Sequence, residues 1–174
     1  FTAFIVERAF PGVTSGKEEH KLGLHGSSTT PLVLQDVWVP AENLLADSKN
    51  GFKLAMATFD RSRPWIGSAA AGVIRRAKDE SLRYATQRKT FGMPIVNHQL
   101  IQQMLADMEI SYLASRLLTL NAAAAVDRGD LRGMHSACAK AFGADAAMQV
   151  TTNAVQILGG YGYIREFPVE RYMR

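Results

Sequence analysis

The sequence predicts an α+β chain: a β-structured segment over residues 1–46, then a helical bundle over residues 47–174. Two changes of pattern predict it. Up to Pro40, short apolar and β-branched runs alternate with turn residues. From Asn50 onward, apolar residues recur at three- and four-residue steps. The loops between the periodic stretches are short, which makes neighbouring helices antiparallel.

In the first segment, Phe1 to Glu7 reads as a strand and Pro11-Gly12 as a turn. Lys21 to Leu24 reads as a second short strand, followed by the polar loop Gly26 to Thr30. Leu32, Leu34, Val37 and Val39 form the next strand, interrupted by Gln35 and Asp36 and closed by Pro40. So few strands cannot bury both faces of a sheet. They are expected to belong to a larger β unit.

The first helical pattern starts near Gly51. Pro64 lies inside it and is expected to kink the helix or to end a short first one. Ile66, Ala69, Ala70, Val73, Ile74, Ala77, Tyr84 and Ala85 give it one apolar face. A second helix runs from about His98 to Arg128, lined by Ile101, Met104, Leu105, Met108, Tyr112 and Ser115. At 1.5 Å per residue it is about 45 Å long. Gly129-Asp130 stops it. The third spans Arg132 to Leu158, with Met134, Ala137, Cys138, Ala141, Phe142, Met148, Val155 and Leu158 as core candidates. Gly159-Gly160 ends it, and a fourth helix starts at Pro168-Val169.

Composition narrows the classes. Hydrophobic residues make up 47% of the 174 and charged residues 21%, the balance of a globular protein. No apolar run approaches the roughly 18 residues that span a bilayer. The chain opens with Phe1-Thr2-Ala3-Phe4-Ile5-Val6, a strand pattern rather than a secretory signal, and lacks an initiating Met, so it reads as cut from something longer. Cys138 is the only cysteine, which excludes an intrachain disulfide and fits a reducing compartment. The net charge of +4 favours an anionic partner, weakly.

Several chemistries find no support. His20, His25, His98 and His135 lack metal-ligand spacing, so no metal site is expected. There is no Gly-x-Ser-x-Gly, no Walker-type loop and no Gly-x-Gly-x-x-Gly after a strand. Cations and aromatics are not interleaved along a face, so no nucleic-acid partner is expected. What remains is Arg88-Lys89-Thr90-Phe91-Gly92 before Met93-Pro94, at the junction of two helices. Arg88 offers a planar fork of donors, Lys89 a point charge and Thr90 a hydroxyl, a set suited to phosphate oxygens. Phe91 can cover a flat ring. The same residues also fit an ordinary basic helix terminus. Three clusters accompany it: Phe59-Asp60-Arg61-Ser62-Arg63-Pro64, His98-Gln99, and Gln156-Ile157-Leu158-Gly159-Gly160.

In this order and spacing the sequence resembles the flavin-dependent acyl-CoA dehydrogenases, most closely the short- and medium-chain type. The resemblance covers essentially the whole chain, including Lys21 to Thr29, Val37 to Leu45, Gly51-Phe52-Lys53, Tyr84 to Gly92, Gln156 to Gly162 and Pro168 to Arg171. It implies part of a middle β-barrel (residues 1–46) followed by most of an antiparallel four-helix bundle (residues 47–174), with a preceding helical domain absent. It implies FAD, held by Arg88, Lys89, Thr90, Phe91, His98 and Gln99 at the diphosphate and nearby parts. Gln156, Ile157, Leu158, Gly159 and Gly160 would meet its adenosine end, the cofactor being bound mainly by a neighbouring subunit of a homotetramer. Asp60, Arg61, Ser62 and Arg63 would lie along an acyl-CoA channel, Arg63 towards the CoA moiety.

The reaction implied is α,β-dehydrogenation of an acyl-CoA to a trans-2-enoyl-CoA, with electron-transfer flavoprotein as acceptor. The resemblance also implies a cytoplasmic location, or the mitochondrial matrix in a eukaryote. The usual glutamate base would fall beyond Arg174, and the alternative position is occupied here by Ser62, which has no carboxylate. No catalytic residue is therefore expected within the chain, and the fragment is expected to be inactive alone. Glu166 and Glu170 match structural positions. Two other readings stand beside this one: a relative running a different flavin reaction, such as nitroalkane oxidation or monooxygenation, and a noncatalytic helical assembly module indifferent to flavin.

Overall fold

A computed structural model describes residues 1–130 and 132–174. It divides into two compact units, Phe1–Phe59 and Asp60–Arg174.

In the first unit, β1 (Ala3–Phe4) pairs antiparallel with β4 (Leu44–Leu45), Ala3 opposite Leu45. A separate pair joins β2 (Val13–Ser15) to β3 (Leu32–Leu34), Thr14 opposite Val33. The strands are shorter than the sequence suggests. Lys21 to Leu24 forms no strand. Leu24 turns the chain at φ 52°, and the Lys21 ammonium closes the loop on the Ser27 carbonyl and on Thr29 Oγ1. β3 stops at Leu34 because Asp36 adopts φ 49°, which leaves Val37 and Val39 outside it. The turn at Gly12 needs glycine, since φ is +87° and a Cβ would lie 2.0 Å from the Gln35 carbonyl oxygen. No residue from Phe1 to Asn50 is buried. These hairpins therefore lack a core of their own, as two-stranded sheets do.

The bundle is built on α1 (Gly51–Gln87), α2 (Gln99–Asp127) and α3 (Met134–Leu158), with the short α4 (Gly160–Tyr163) and α5 (Val169–Met173) closing one end. The division into two units falls within α1, which runs unbroken through Pro64. The proline forfeits the one hydrogen bond its nitrogen would give to the Asp60 carbonyl and does not end the helix. α2 and α3 lie within a residue or two of expectation. Two elements lie outside expectation: α4 and the two-stranded hairpin of β5 (Lys89–Thr90) and β6 (Met93–Pro94).

Within the bundle the contacts fix direction. Gly67 of α1 lies against Thr119 of α2 and Lys78 bonds Glu109, so α1 and α2 run antiparallel. Gly67 also meets Ala139, and Gly143 meets Ala70, so α1 and α3 run parallel. The core gathers Ile74, Ala77, Met108, Val150, Ala154 and Val169, all at most 2% exposed.

The expected face of α2 is confirmed, but that of α3 holds only at its C-terminal end, where Leu158 is buried and Val155 half-buried against the core, and is displaced before it. Ser136, Ala139, Gly143, Ala146, Val150 and Ala154 are buried, whereas Met134, Ala137, Cys138, Ala141, Phe142 and Met148 are exposed. Close approach of α1 and α3 decides this. A Cβ on Gly67 would lie 2.8 Å from Thr119 Oγ1 and 3.2 Å from the Ala139 oxygen, so only small side chains fit the seam. Ile66 and Ala69 of α1 are exposed as well, against expectation.

Candidate functional site

The basic turn is a tight hairpin. Lys89 pairs with Pro94 and Thr90 with Met93, leaving Phe91 and Gly92 as the two-residue loop. Both have positive φ, 49° and 83°, the signature of a type I′ turn. For glycine this is ordinary. For phenylalanine it is strained, and the ring stands 94% exposed. Both backbone groups of Arg88 are committed: its N–H donates to the Tyr84 carbonyl at 2.9 Å, and its carbonyl accepts from Ile95 N–H at 2.8 Å. Its exposed guanidinium has no ion-pair partner among the described residues.

A 3₁₀ turn, Ile95–Asn97, then delivers His98 to the N-cap of α2. There the imidazole Nε2 meets Thr90 Oγ1 at 2.8 Å, and the Phe91 ring stands edge-on to it at 6.3 Å. From the far end of the sequence, α3 delivers Ile157 and Leu158 to the same place. Gly159, at φ +59°, turns the chain into α4.

These elements enclose an open cavity of about 540 Å³ lined by Arg88, Thr90, His98, Ile157, Leu158, Gly159 and Gly160. Seven of the eleven residues expected to hold a cofactor thus share one concavity. Lys89, Phe91, Gln99 and Gln156 are not part of its lining. Tyr84, Ile95, Ile101, Tyr161 and Ile164, which are not among the residues expected to meet a cofactor, complete the wall. For Tyr161 a signal existed: glycines flank it on both sides. Gly160 is informative in another way. Its φ is not positive, and a Cβ there would meet nothing within 4 Å. The fold itself does not demand glycine at that position.

The other predicted cluster lies elsewhere. Asp60 to Arg63 sit on α1, 25 to 28 residues before Arg88, which follows its last residue, or about 40 Å along its axis. Asp60 Oδ1 accepts from Arg63 Nη1 at 2.8 Å. Its carboxylate lies so near Gly133, the N-cap of α3, that a Cβ there would come within 2.6 Å of Oδ1. Arg61 has no ion-pair partner among the described residues and lines a second cavity of about 670 Å³ with Trp65, Ser68, Leu120 and Asp127. Ser62 is exposed on α1. Among the described residues no group of three or more His, Cys, Asp or Glu side chains gathers to hold a metal. None of the helices described there is long and apolar enough to cross a membrane.

A helical bundle that opens an unpaired guanidinium, a hydroxyl–imidazole pair and a glycine corner onto one cavity has the make-up of an anion-binding bundle. Residues 49–174 match the family model for the acyl-CoA dehydrogenase C-terminal domain. The chain belongs to the acyl-CoA dehydrogenase family of oxidoreductases. It is 47% identical over 171 residues to cyclohexane-1-carbonyl-CoA dehydrogenase of Geobacter metallireducens, covering 98% of this chain and 45% of that one. The butyryl-CoA dehydrogenase structure from Megasphaera elsdenii superposes with a TM-score of 0.95 at 46% identity, covering 99% of this chain and 45% of that one. A chain solved in work on the electron transferring flavoprotein of Acidaminococcus fermentans and flavin-based electron bifurcation gives the same TM-score at 43% identity, with 99% and 45% covered. The chain thus spans less than half the length of these relatives.

Proposed function

We propose that this chain is the FAD- and acyl-CoA-binding C-terminal portion of a dehydrogenase that converts an acyl-CoA thioester to its trans-2-enoyl-CoA. The observation that carries it is the cavity at the basic hairpin. It joins three separate sequence clusters around a guanidinium that has no ion-pair partner among the described residues. The residues fit FAD. Arg88 supplies charge-assisted donors for a diphosphate, Thr90 and His98 a polar pair beside it, and Gly160 room for close approach that the fold alone does not require. The strained, exposed Phe91 supports the same reading, since backbone strain of this kind collects at ligand clamps.

When bound, FAD supplies the hydride acceptor for oxidation at the thioester's β-carbon. In this reading the chain's own residues bind and orient. Arg88, Lys89, Thr90, Phe91, His98 and Gln99 hold the diphosphate region, and Gln156 to Gly160 meet the adenosine end. The cofactor belongs mainly to a neighbouring subunit of a homotetramer. Asp60 to Arg63 lie along the thioester channel, the Asp60 pair fixing the direction of the Arg63 guanidinium.

None of the residues described here is assigned the base that takes the α-proton. Ser62 has no carboxylate. Glu170 is held below its ordinary pKa, first by the hydrogen bond from Arg174 and then by its charge, which makes it a poorer proton acceptor. The electron acceptor we infer is an electron-transfer flavoprotein, and the location we infer is the cytoplasm.

The test is bleaching. Purified full-length protein loaded with FAD and mixed anaerobically with a series of acyl-CoAs should lose its visible oxidised-flavin absorbance with at least one of them. Bound flavin that no acyl-CoA bleaches would remove the dehydrogenase reading.

A further inference from the structure

We propose that Tyr161 is the stacking platform for the purine ring of the bound dinucleotide, and that it makes the site select FAD over flavin mononucleotide. The inference rests on the FAD reading above and adds a residue and a specificity to it.

The Tyr161 ring is braced from behind. Its centroid lies 5.2 Å from that of Phe167 and 6.1 Å from that of Tyr84, and those two rings meet edge-on at 88° and 6.1 Å. Tyr84 and Phe167 are half-buried against the bundle core, so they anchor the trio. Tyr161 itself is 45% exposed and lines the cavity. Its backbone is fixed on both sides. Gly159 turns the chain at φ +59°, and Gly162 is buried so tightly that a Cβ would lie 2.4 Å from the Val155 oxygen.

A large aromatic residue left nearly half open, on a held backbone with a rigid brace, has lost much of the rotamer freedom that stacking would otherwise cost. Arg88 lies on the same cavity wall and offers charge to a phosphate ester. A flat aromatic face and a free guanidinium on one concavity suit a nucleotide, whose two ends are a π-face and a phosphate. Flavin mononucleotide carries a phosphate but no purine. Loss of the platform should therefore weaken FAD and leave the mononucleotide unchanged.

The experiment uses full-length protein, stripped of flavin and titrated separately with FAD and with flavin mononucleotide. Tyr161→Leu keeps apolar bulk and removes the π-face, Tyr161→Phe keeps both, and Tyr163→Ala alters an exposed tyrosine outside the cavity wall. We expect Tyr161→Leu to weaken FAD by about 5- to 150-fold, the range for one base–aromatic stack. Tyr161→Phe and Tyr163→Ala should bind FAD like the parent, and no variant should change the mononucleotide affinity. Equal FAD affinity in Tyr161→Leu and parent would overturn the platform. Equal loss of both flavins would overturn the selectivity. If Arg88→Ala still weakens FAD while Tyr161→Leu does not, the cofactor reading survives and only the platform falls. If the parent binds neither flavin, the cofactor reading itself falls.

Discussion

Arg88 and Phe91 make opposite contributions to the same hairpin. Arg88 is held by two backbone hydrogen bonds, and its guanidinium makes no ion pair among the described residues. Replacing it with alanine should change stability little and weaken FAD by roughly tenfold or more, since hydrogen bonds to charged groups contribute about 1.5–3 kcal/mol. Equilibrium titration of stripped protein reads this directly, and an unchanged affinity would count against the diphosphate role. Phe91 is the converse case. Its left-handed backbone costs about 1–2 kcal/mol, which asparagine at the same place in a type I′ turn largely avoids. Phe91→Asn should raise the melting temperature of the flavin-free protein and lower flavin retention. A lower melting temperature would mean that the ring packs usefully without ligand. The sequence announced both residues by type. It did not announce the hairpin, because two residues per strand leave no periodicity to detect.

At the level of elements, the ends of the helices were more legible in the sequence than their buried faces. Helix ends at His98, Gly159 and Pro168 carry local signals, and the structure places them within a residue or two. Over the first part of α3 the buried face did not follow from hydrophobicity, because Met134, Phe142 and Met148 point outward while Ser136, Ala139, Gly143 and Ala146 point inward. Helix spacing, set by Gly67 and Gly143, overrides side-chain size there. Gly67→Ala should therefore destabilise by about 1–3 kcal/mol through overpacking, read by denaturant unfolding. Indifference to the added methyl would show that the seam has slack.

The turn into α3 gives a second test. Asp130 is held well below the ordinary carboxylate range, chiefly by the Arg132 side chain and then by the Arg132 backbone N–H. A depressed folded-state pKa means that the stabilisation is complete above the ordinary aspartate range. It fades as pH falls through the folded value. Asp130→Asn should remove that part of the acid dependence while leaving the slope near neutrality unchanged, as stability measured from pH 7 down to pH 2 (a range of about five units) would reveal. An identical acid limb would mean that the pair persists in the unfolded chain.

For the molecule as a whole, the family could be read from the spacing of clusters that are individually weak. The cavity uniting them could not, because residues 88, 98 and 157–160 meet only once the helices pack. Large apolar side chains on α2 and α3 stay exposed, among them Leu117 at 62% and Met134 at 60%. The tetramer we propose would cover such faces. If a neighbouring subunit holds most of the FAD, dilution that dissociates the oligomer should release flavin in step with it, as sedimentation and flavin fluorescence recorded together would reveal. Flavin that stays on dissociated protomers would confine the cofactor to one chain.

The nearness of Gly133 to Asp60 matters to anyone re-engineering the protein. Position 133 looks like a dispensable linker, far from the chemistry by residue count. Any side chain there would push the aspartate aside and release its arginine to swing. On the proposed reading, in which Arg63 meets the CoA moiety, a randomised library should leave that glycine untouched, or expect weakened thioester binding from a position remote in sequence.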